Sequence, residues 1–231
     1  EAGNYEMSDG TKITLGTVSS SGLSSNTTEL TFDIGSSLTN PAVFTQIQTN
    51  NDSNWVVTRV RNVTSSTFLL SLQEQESFSS HSHGDETVGY LAIEKGSNKS
   101  NGSHTIDVGE TSDSFDHSSR SQSFGTTFSE TPALIVKMAR RDGGDTSNVR
   151  ITSITNSSFS AYIDEENSTS TEQSHTTEAL YYLALLSPSN TSSGTFGFTI
   201  ADTTAPSAPT SLSPAITNDT TPDITGTAEA G

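Results

Sequence analysis

The sequence predicts an all-β fold, built as two tandem small antiparallel β-sandwiches followed by an extended, proline-rich C-terminal segment. Three observations carry this reading. Short stretches of alternating apolar and polar residues recur along the chain, separated by loops of Asn, Asp, Ser and Gly. No eleven-residue window sustains helical periodicity between plausible caps. Residues 40–75 also superimpose on residues 131–166 without a gap, at an offset of 91.

That offset places Pro41 on Pro132, Arg59 on Arg150, Thr64 on Thr155, Phe68 on Phe159 and Glu74 on Glu165. After a slip of one residue, His83, Glu86, Tyr90, Leu91 and Ala92 fall on His175, Glu178, Tyr182, Leu183 and Ala184. The chain was duplicated, and the boundaries drawn from it are 1–96, 97–201 and 202–231.

Taken in order, the first repeat offers an apolar strand headed by Pro41 (NPAVFTQIQ), a stretch around Val57 and Arg59, then Phe68, Leu70 and Leu72 on one face of a period-two run. Val88, Tyr90 and Ala92 follow, alternating with Leu91 and Ile93. The second repeat answers with Leu134, Val136 and Met138, then Phe159, Ala161 and Ile163, then LYYLALL at 180–186. Loops fall at 49–54 (TNNDSN), 77–85 (SFSSHSHGD) and 142–148 (DGGDTSN). A further alternating strand spans 195–200, after which Pro206, Pro209, Pro214 and Pro222 forbid a regular central strand.

Composition narrows the function. The 231 residues carry 27 acidic against 10 basic side chains, a net charge of −17, with scattered Lys and Arg. That charge offers no footprint for a phosphate backbone, so nucleic acid is a poor partner. No apolar run is long enough for a membrane helix, and no leader-like segment opens the sequence. Zero Cys removes disulfides, thiolate metal sites and cysteine nucleophiles together. Only 29% of residues are hydrophobic, yet only 16% are charged, so this is a hydroxyl- and amide-rich chain, not a charge-driven disordered one. A repeat of about 90 residues is marginal by area scaling, which predicts that the two pack on each other or on further chains.

Catalytic signatures are missing. There is no GxSxG elbow, no HExxH and no phosphate-cradling glycine loop. The reading is a non-catalytic chain. Nine Asn-x-Ser/Thr sequons, from Asn26 to Asn218, point to exposed polar loops.

The two repeats resemble H-type lectin domains, and most nearly their bacterial extracellular relatives. The resemblance rests on the Pro-headed apolar strand (NPAVFTQIQ, TPALIVKMA), the VRNVTSSTF and ITSITNSSF segments, and the aromatic last strand (VGYLAIE, LYYLALL), in the same order twice. It implies a small β-sandwich that holds sugar near the last strand, often between protomers, with an aromatic ring, a His and an Arg prominent. Tyr90 and Tyr182 stand where several relatives have Trp, so the resemblance leaves the sugar open. The tail is similar to the entry into bacterial immunoglobulin-like repeats of giant cell-surface adhesins, through DTTAP and TPDITGTAEAG. That implies a secreted, multidomain, cell-surface parent.

A sugar site needs an aromatic face for C–H stacking beside fixed donors and acceptors. Trp55, the only tryptophan, lies beside Asn54 and Asp52 and is the best stacking candidate, with a core position at a strand start as its alternative. Arg59, Tyr90 and His83, with Arg150, Tyr182 and His175 in the second repeat, complete the tentative sugar-binding set. For each, a structural role competes: core or interface for the tyrosines, a buried Glu74 or Glu165 partner for the arginines, and a His–Glu hydrogen bond closing a loop for the histidines. Asp142, Asp145 and Asp202 sit in turns that could supply oxygens to calcium, and solvated turns explain them equally. The expected partners are glycans on cell or matrix surfaces and further copies or neighbouring domains of the same protein.

A second reading is a structural subunit of an extracellular filament. GTKITLG, GSHTIDVG and GTFGFTIAD look alike, so the third could replace the first strand of a neighbouring subunit by strand addition.

Overall fold

Alternation decides the layers. Along a strand, successive side chains point to opposite faces, so a run that is apolar on both phases must be covered on both sides. The computed structural model, which describes residues 3–21, 28–77, 83–169, 171 and 173–187 and the backbone of 199–200, is all-β and follows that logic.

The first repeat comprises β1 (Gly3–Glu6), β2 (Lys12–Ser19), β3 (Leu30–Asp33), β4 (Pro41–Ile47), β5 (Val56–Arg61), β6 (Thr67–Glu74) and β7 (Thr87–Glu94). The second matches it strand for strand with β8 (Gly96–Asn101), β9 (His104–Glu110), β10 (Arg120–Ser123), β11 (Ala133–Met138), β12 (Ser147–Ile154), β13 (Ser158–Glu165) and β14 (Leu180–Leu186). A short β15 (Thr199–Ile200) pairs with β1, Tyr5 facing Ile200. Each repeat has a three-stranded sheet, β3-β6-β5 or β10-β13-β12, and a larger one, β15-β1-β2-β7-β4 or β11-β14-β9-β8.

Phe68, Leu70 and Leu72 on β6 meet Val88, Tyr90 and Ala92 on β7 in the first core. Phe159, Ala161 and Ile163 on β13 meet Leu180, Tyr182 and Ala184 on β14 in its counterpart. The same turn closes β5–β6 and β12–β13: the Thr64 amide donates to Thr67 O and the Thr155 amide to Ser158 O, each at 2.8 Å. The other phase of β7 and β14 builds a third core between the repeats. Ile13, Phe44 and Ile93 of the first pack there against Ile106, Val108 and Tyr181 of the second. The Phe44 and Tyr181 rings meet at 6.4 Å, a pair worth about 0.5–1.5 kcal/mol beyond the area it buries.

The two larger sheets therefore face each other, with a smaller sheet outside each, and the chain up to Ile200 is one compact unit. Covering β7 and β14 on both faces is how a chain with 29% hydrophobic residues assembles enough core.

Candidate functional site

Each repeat holds one buried imidazole between two buried carboxylates. His83 sits with Nδ1 3.2 Å from Glu74 Oε1 and Nε2 3.5 Å from Glu86 Oε1. His175 repeats this, 2.6 Å from Glu165 Oε1 and 3.3 Å from Glu178 Oε1. The second Glu of each set caps the β4–β5 or β11–β12 loop. Glu86 accepts the amides of Asn51 (2.9 Å) and Asp52 (3.0 Å), and Glu178 those of Asp142 (3.0 Å) and Gly143 (3.1 Å). Burial lowers the His175 pKa, but the hydrogen bonds to Glu178 and Glu165 outweigh it and the net shift is upward. Burial raises the Glu178 pKa in turn, and His175, Arg59 and the two amides bring it below the usual carboxylate value.

Arg59 and Arg150, equivalent in sequence, separate in space. Arg59 is 1% exposed and crosses between the repeats, with Nη2 2.7 Å from Glu178 Oε1. It also donates to Ser147 Oγ (3.1 Å), Gln73 Oε1 (3.2 Å) and the Arg140 carbonyl (3.2 Å). Arg150, with 66% of its side chain exposed, meets Asp164 at 2.8 Å. The expected partners Glu74 and Glu165 are thus corrected: both carboxylates are taken by histidines, and the first arginine has the other repeat to reach into.

Tyr90 and Tyr182 are core residues. Tyr90 donates its hydroxyl to the Ile34 carbonyl at 2.9 Å, and its ring lies over Gly16, where a Cβ would come within 2.6 Å of the hydroxyl. Tyr182 covers Gly109 in the same way. Five of the nine sugar candidates, Arg59, Tyr90, His83, Tyr182 and His175, are buried and bonded within the fold, so no sugar reaches them. Asp52 accepts from the amides of Asn54 (3.0 Å) and Gly84 (2.9 Å), and Asn54 donates to Glu74 (3.2 Å). These two shape the loop that presents Trp55.

Trp55 itself stands just before β5 and is 45% exposed. It borders a groove of about 320 Å³ between β4–β5 of the first repeat and β11–β12 of the second. Phe44 and Ile135 give this groove apolar walls, while Gln46, Thr58, Lys137 and Asn148 bring polar groups. Lys137 donates to Thr58 Oγ1 at 2.7 Å, and Thr45 Oγ1 donates to the same atom at 2.8 Å. Burial, with Arg59 adding like charge, pushes the Lys137 ammonium down to about 7. The groove joins an aromatic face to an amide, hydroxyls and a titrating amine. Sequence reasoning found Trp55 and missed Gln46, Ile135, Lys137 and Asn148, because they converge only when the repeats pack.

A second inter-repeat groove of about 340 Å³ gathers Arg61, Lys95, Arg140 and Arg141. Glu29 is shared by Arg61 and Arg141 and Glu110 by Lys95 and Arg140, while Asp113 stands 4.0 Å from Arg140 and Asp142 joins the lining, so four carboxylates surround the four cations.

Of the calcium candidates, Asp142 spends its amide on Glu178, and burial together with Glu178 and Asp113 raises its carboxyl pKa. Asp145 is exposed and its carbonyl accepts from Ser147 Oγ at 3.3 Å. Asp202 lies outside the described residues. Among the described residues, the group close enough to share an ion is instead Asp52, Glu74 and His83. The second repeat builds the same His-between-two-Glu arrangement with Gly143 in place of Asp52, so that arrangement forms without a third ligating side chain.

Against known proteins, the chain is 30% identical over 187 residues, 80% of its length, to a stretch of Halomucin from Haloquadratum walsbyi (strain DSM 16790 / HBSQ001). It spans only 2% of the length of that relative. No family model and no solved structure matches.

Proposed function

We propose that this chain is a non-catalytic adhesion module of a large extracellular surface protein and that it holds carbohydrate in the Trp55 groove. The observation that carries this is the one exposed indole beside a groove furnished with Gln46, Asn148, Thr58 and Lys137, the pairing of apolar face and fixed polar groups that a sugar ring requires. Likeness to one small part of Halomucin supports a module within a far larger protein. A groove this open suits weak binding per site, made useful by many copies.

A glycan array followed by titration calorimetry tests the reading. The chain is expected to bind a glycan, and Trp55→Ala to weaken it by about 1–2 kcal/mol, roughly five- to thirty-fold, without loss of fold. No binding by a folded sample, or unchanged binding by Trp55→Ala, refutes the groove as the site.

The filament reading finds one supporting observation: β15, from the GTFGFTIAD segment, adds to the edge strand β1 within the same chain. The edge accepts a strand, although here the donor is not another subunit.

A further inference from the structure

The duplication sets two versions of one buried charge group in the same chain, and they are not equally charged. In the second repeat, His175 is hydrogen-bonded to Glu165 at 2.6 Å and to Glu178 at 3.3 Å, and Arg59 brings a guanidinium to Glu178 at 2.7 Å. In the first repeat, His83 stands between Glu74 and Glu86 in the same way, but the arginine that would answer Arg59 is Arg150, which is turned to Asp164 at the surface. Glu86 accepts the Thr49 hydroxyl and the Asn51 and Asp52 amides, and among the described residues no guanidinium reaches it. The second difference lies at the loop position that donates its amide to this Glu, Gly143 in one repeat and Asp52 in the other. The first repeat thus has one cation fewer and one carboxylate more.

The added carboxylate lies beside the imidazole. At Gly143 a Cβ would come within 2.3 Å of the His175 ring, so with the ring in place the second repeat has no room for a side chain there. In the first repeat a ring nitrogen of His83, an oxygen of Glu74 and an oxygen of Asp52 lie within 4.8 Å of one another. The Asn54 and Gly84 amides hold the two Asp52 oxygens at 3.0 and 2.9 Å, each through one lone pair, which leaves another on each oxygen. Glu74 and His83 are buried, while Asp52 is half-buried and opens the group to solvent. His83 makes only one of the two hydrogen bonds that His175 makes. Its Nδ1 is 3.2 Å from Glu74 Oε1, but its buried Nε2 has no hydrogen-bond partner, and Glu86 Oε1 stands 3.5 Å away. A neutral imidazole has a single N–H, so between two carboxylates one nitrogen turns a lone pair toward an anion unless a proton or a metal ion is bound. Buried carboxylates impose the same demand, since charges taken out of water are paired or coordinate metals.

We propose that Asp52, Glu74 and His83 bind a divalent transition-metal ion of the zinc class, which does in the first repeat what Arg59 does in the second. Its two positive charges match the difference between the groups, one cation fewer and one carboxylate more. An imidazole nitrogen beside carboxylate oxygens suits zinc, whereas calcium takes oxygen ligands alone. Ligands about 2.0–2.2 Å from a tetrahedral ion sit roughly 3.3–3.6 Å from one another, so the group closes by about 1 Å and leaves a fourth position for water. The ring nitrogen that does not take the ion keeps a carboxylate for its proton, the arrangement that orients metal-bound histidines. The ion ties the β4–β5 loop, which presents Trp55, to the end of β6 and to the segment before β7. The proposal does not depend on sugar binding.

Calorimetric titration of zinc into the full chain, after dialysis against EDTA and in excess magnesium to occupy the acidic surface, tests it. One ion per chain is expected, with a rise in the thermal midpoint when zinc is added. Asp52→Gly, which copies the second repeat, and Asp52→Asn should each weaken zinc binding by at least about tenfold and erase that rise. Asp145→Asn, at an exposed acid outside the group, should change neither. Circular dichroism checks the fold of each metal-free variant. The imidazole nitrogen resonances give a readout on the unaltered chain: zinc should shift those of His83 and leave those of His175 in place. No zinc binding by the folded chain, Asp52 variants that bind as wild type does, or a shift at His175 in place of His83 would each overturn the proposal.

Discussion

Replacing Arg59 by Ala removes the cation that ties the repeats together while leaving Glu178 buried, and the structure supplies its own control. Arg59 has four hydrogen-bond partners, its nearest at 2.7 Å, and a side chain 1% exposed, whereas Arg150 at the equivalent position is 66% exposed with one partner. Breaking a buried pair from one side costs about 3–5 kcal/mol, because the surviving charge stays desolvated. An exposed pair is worth roughly 0–1 kcal/mol. With a urea m-value of about 2 kcal/mol/M, Arg59→Ala should lower the unfolding midpoint by roughly 1.5–2.5 M and Arg150→Ala by less than about 0.5 M. The double change Arg59→Met with Glu178→Leu should recover much of the loss, since it removes both charges. Equal midpoints for the two single variants, or no recovery in the double one, would refute the assignment of Arg59 as a bridge between repeats.

Three more outcomes follow from the same geometry. The raised His175 pKa means that its contribution to stability is complete below the ordinary value of 6.5 and fades as pH rises through the folded value above it. The gap between wild type and His175→Gln in urea titrations should therefore be widest below the ordinary value of 6.5 and narrow as pH rises past it. Lys137 acts with the opposite sign. Its folded pKa of about 7 lies below the ordinary 10.5, so the unfolded chain binds the extra proton between those values and stability rises with pH there. Lys137→Met should flatten that rise and stabilise the protein near pH 7, by at most a few kcal/mol because the residue is only partly buried. Gly109→Ala, whose Cβ would collide with the Tyr182 ring, should cost about 1–3 kcal/mol by overpacking, read as a lower thermal midpoint.

What could be read from the sequence was what repeats or alternates. Phe68, Leu70 and Leu72 gave β6, and LYYLALL gave β14, because packing and pattern agree there. Strands such as β8 (GSNKSN) and β10 (RSQS) have almost no apolar residue and exist through ladder pairing alone, so no periodicity marks them. The His–Glu sets were visible as an echo of His83 and Glu86 in His175 and Glu178. The fate of the two arginines was not. Nothing near Arg59 or Arg150 distinguishes them, since which one is buried depends on which face of each repeat meets the other. The groove residues Gln46, Ile135, Lys137 and Asn148 stayed hidden for the same reason, lying on different repeats at positions unremarkable in themselves.

Differential scanning calorimetry of residues 1–200 tests most directly whether the two repeats stand on one shared core. The expected thermogram has a single transition whose calorimetric and van't Hoff enthalpies agree, because Phe44, Ile93, Val108 and Tyr181 cannot be exposed on one side alone. Two resolved transitions, each surviving deletion of the other half, would contradict it and return the chain to two independent sandwiches on a string.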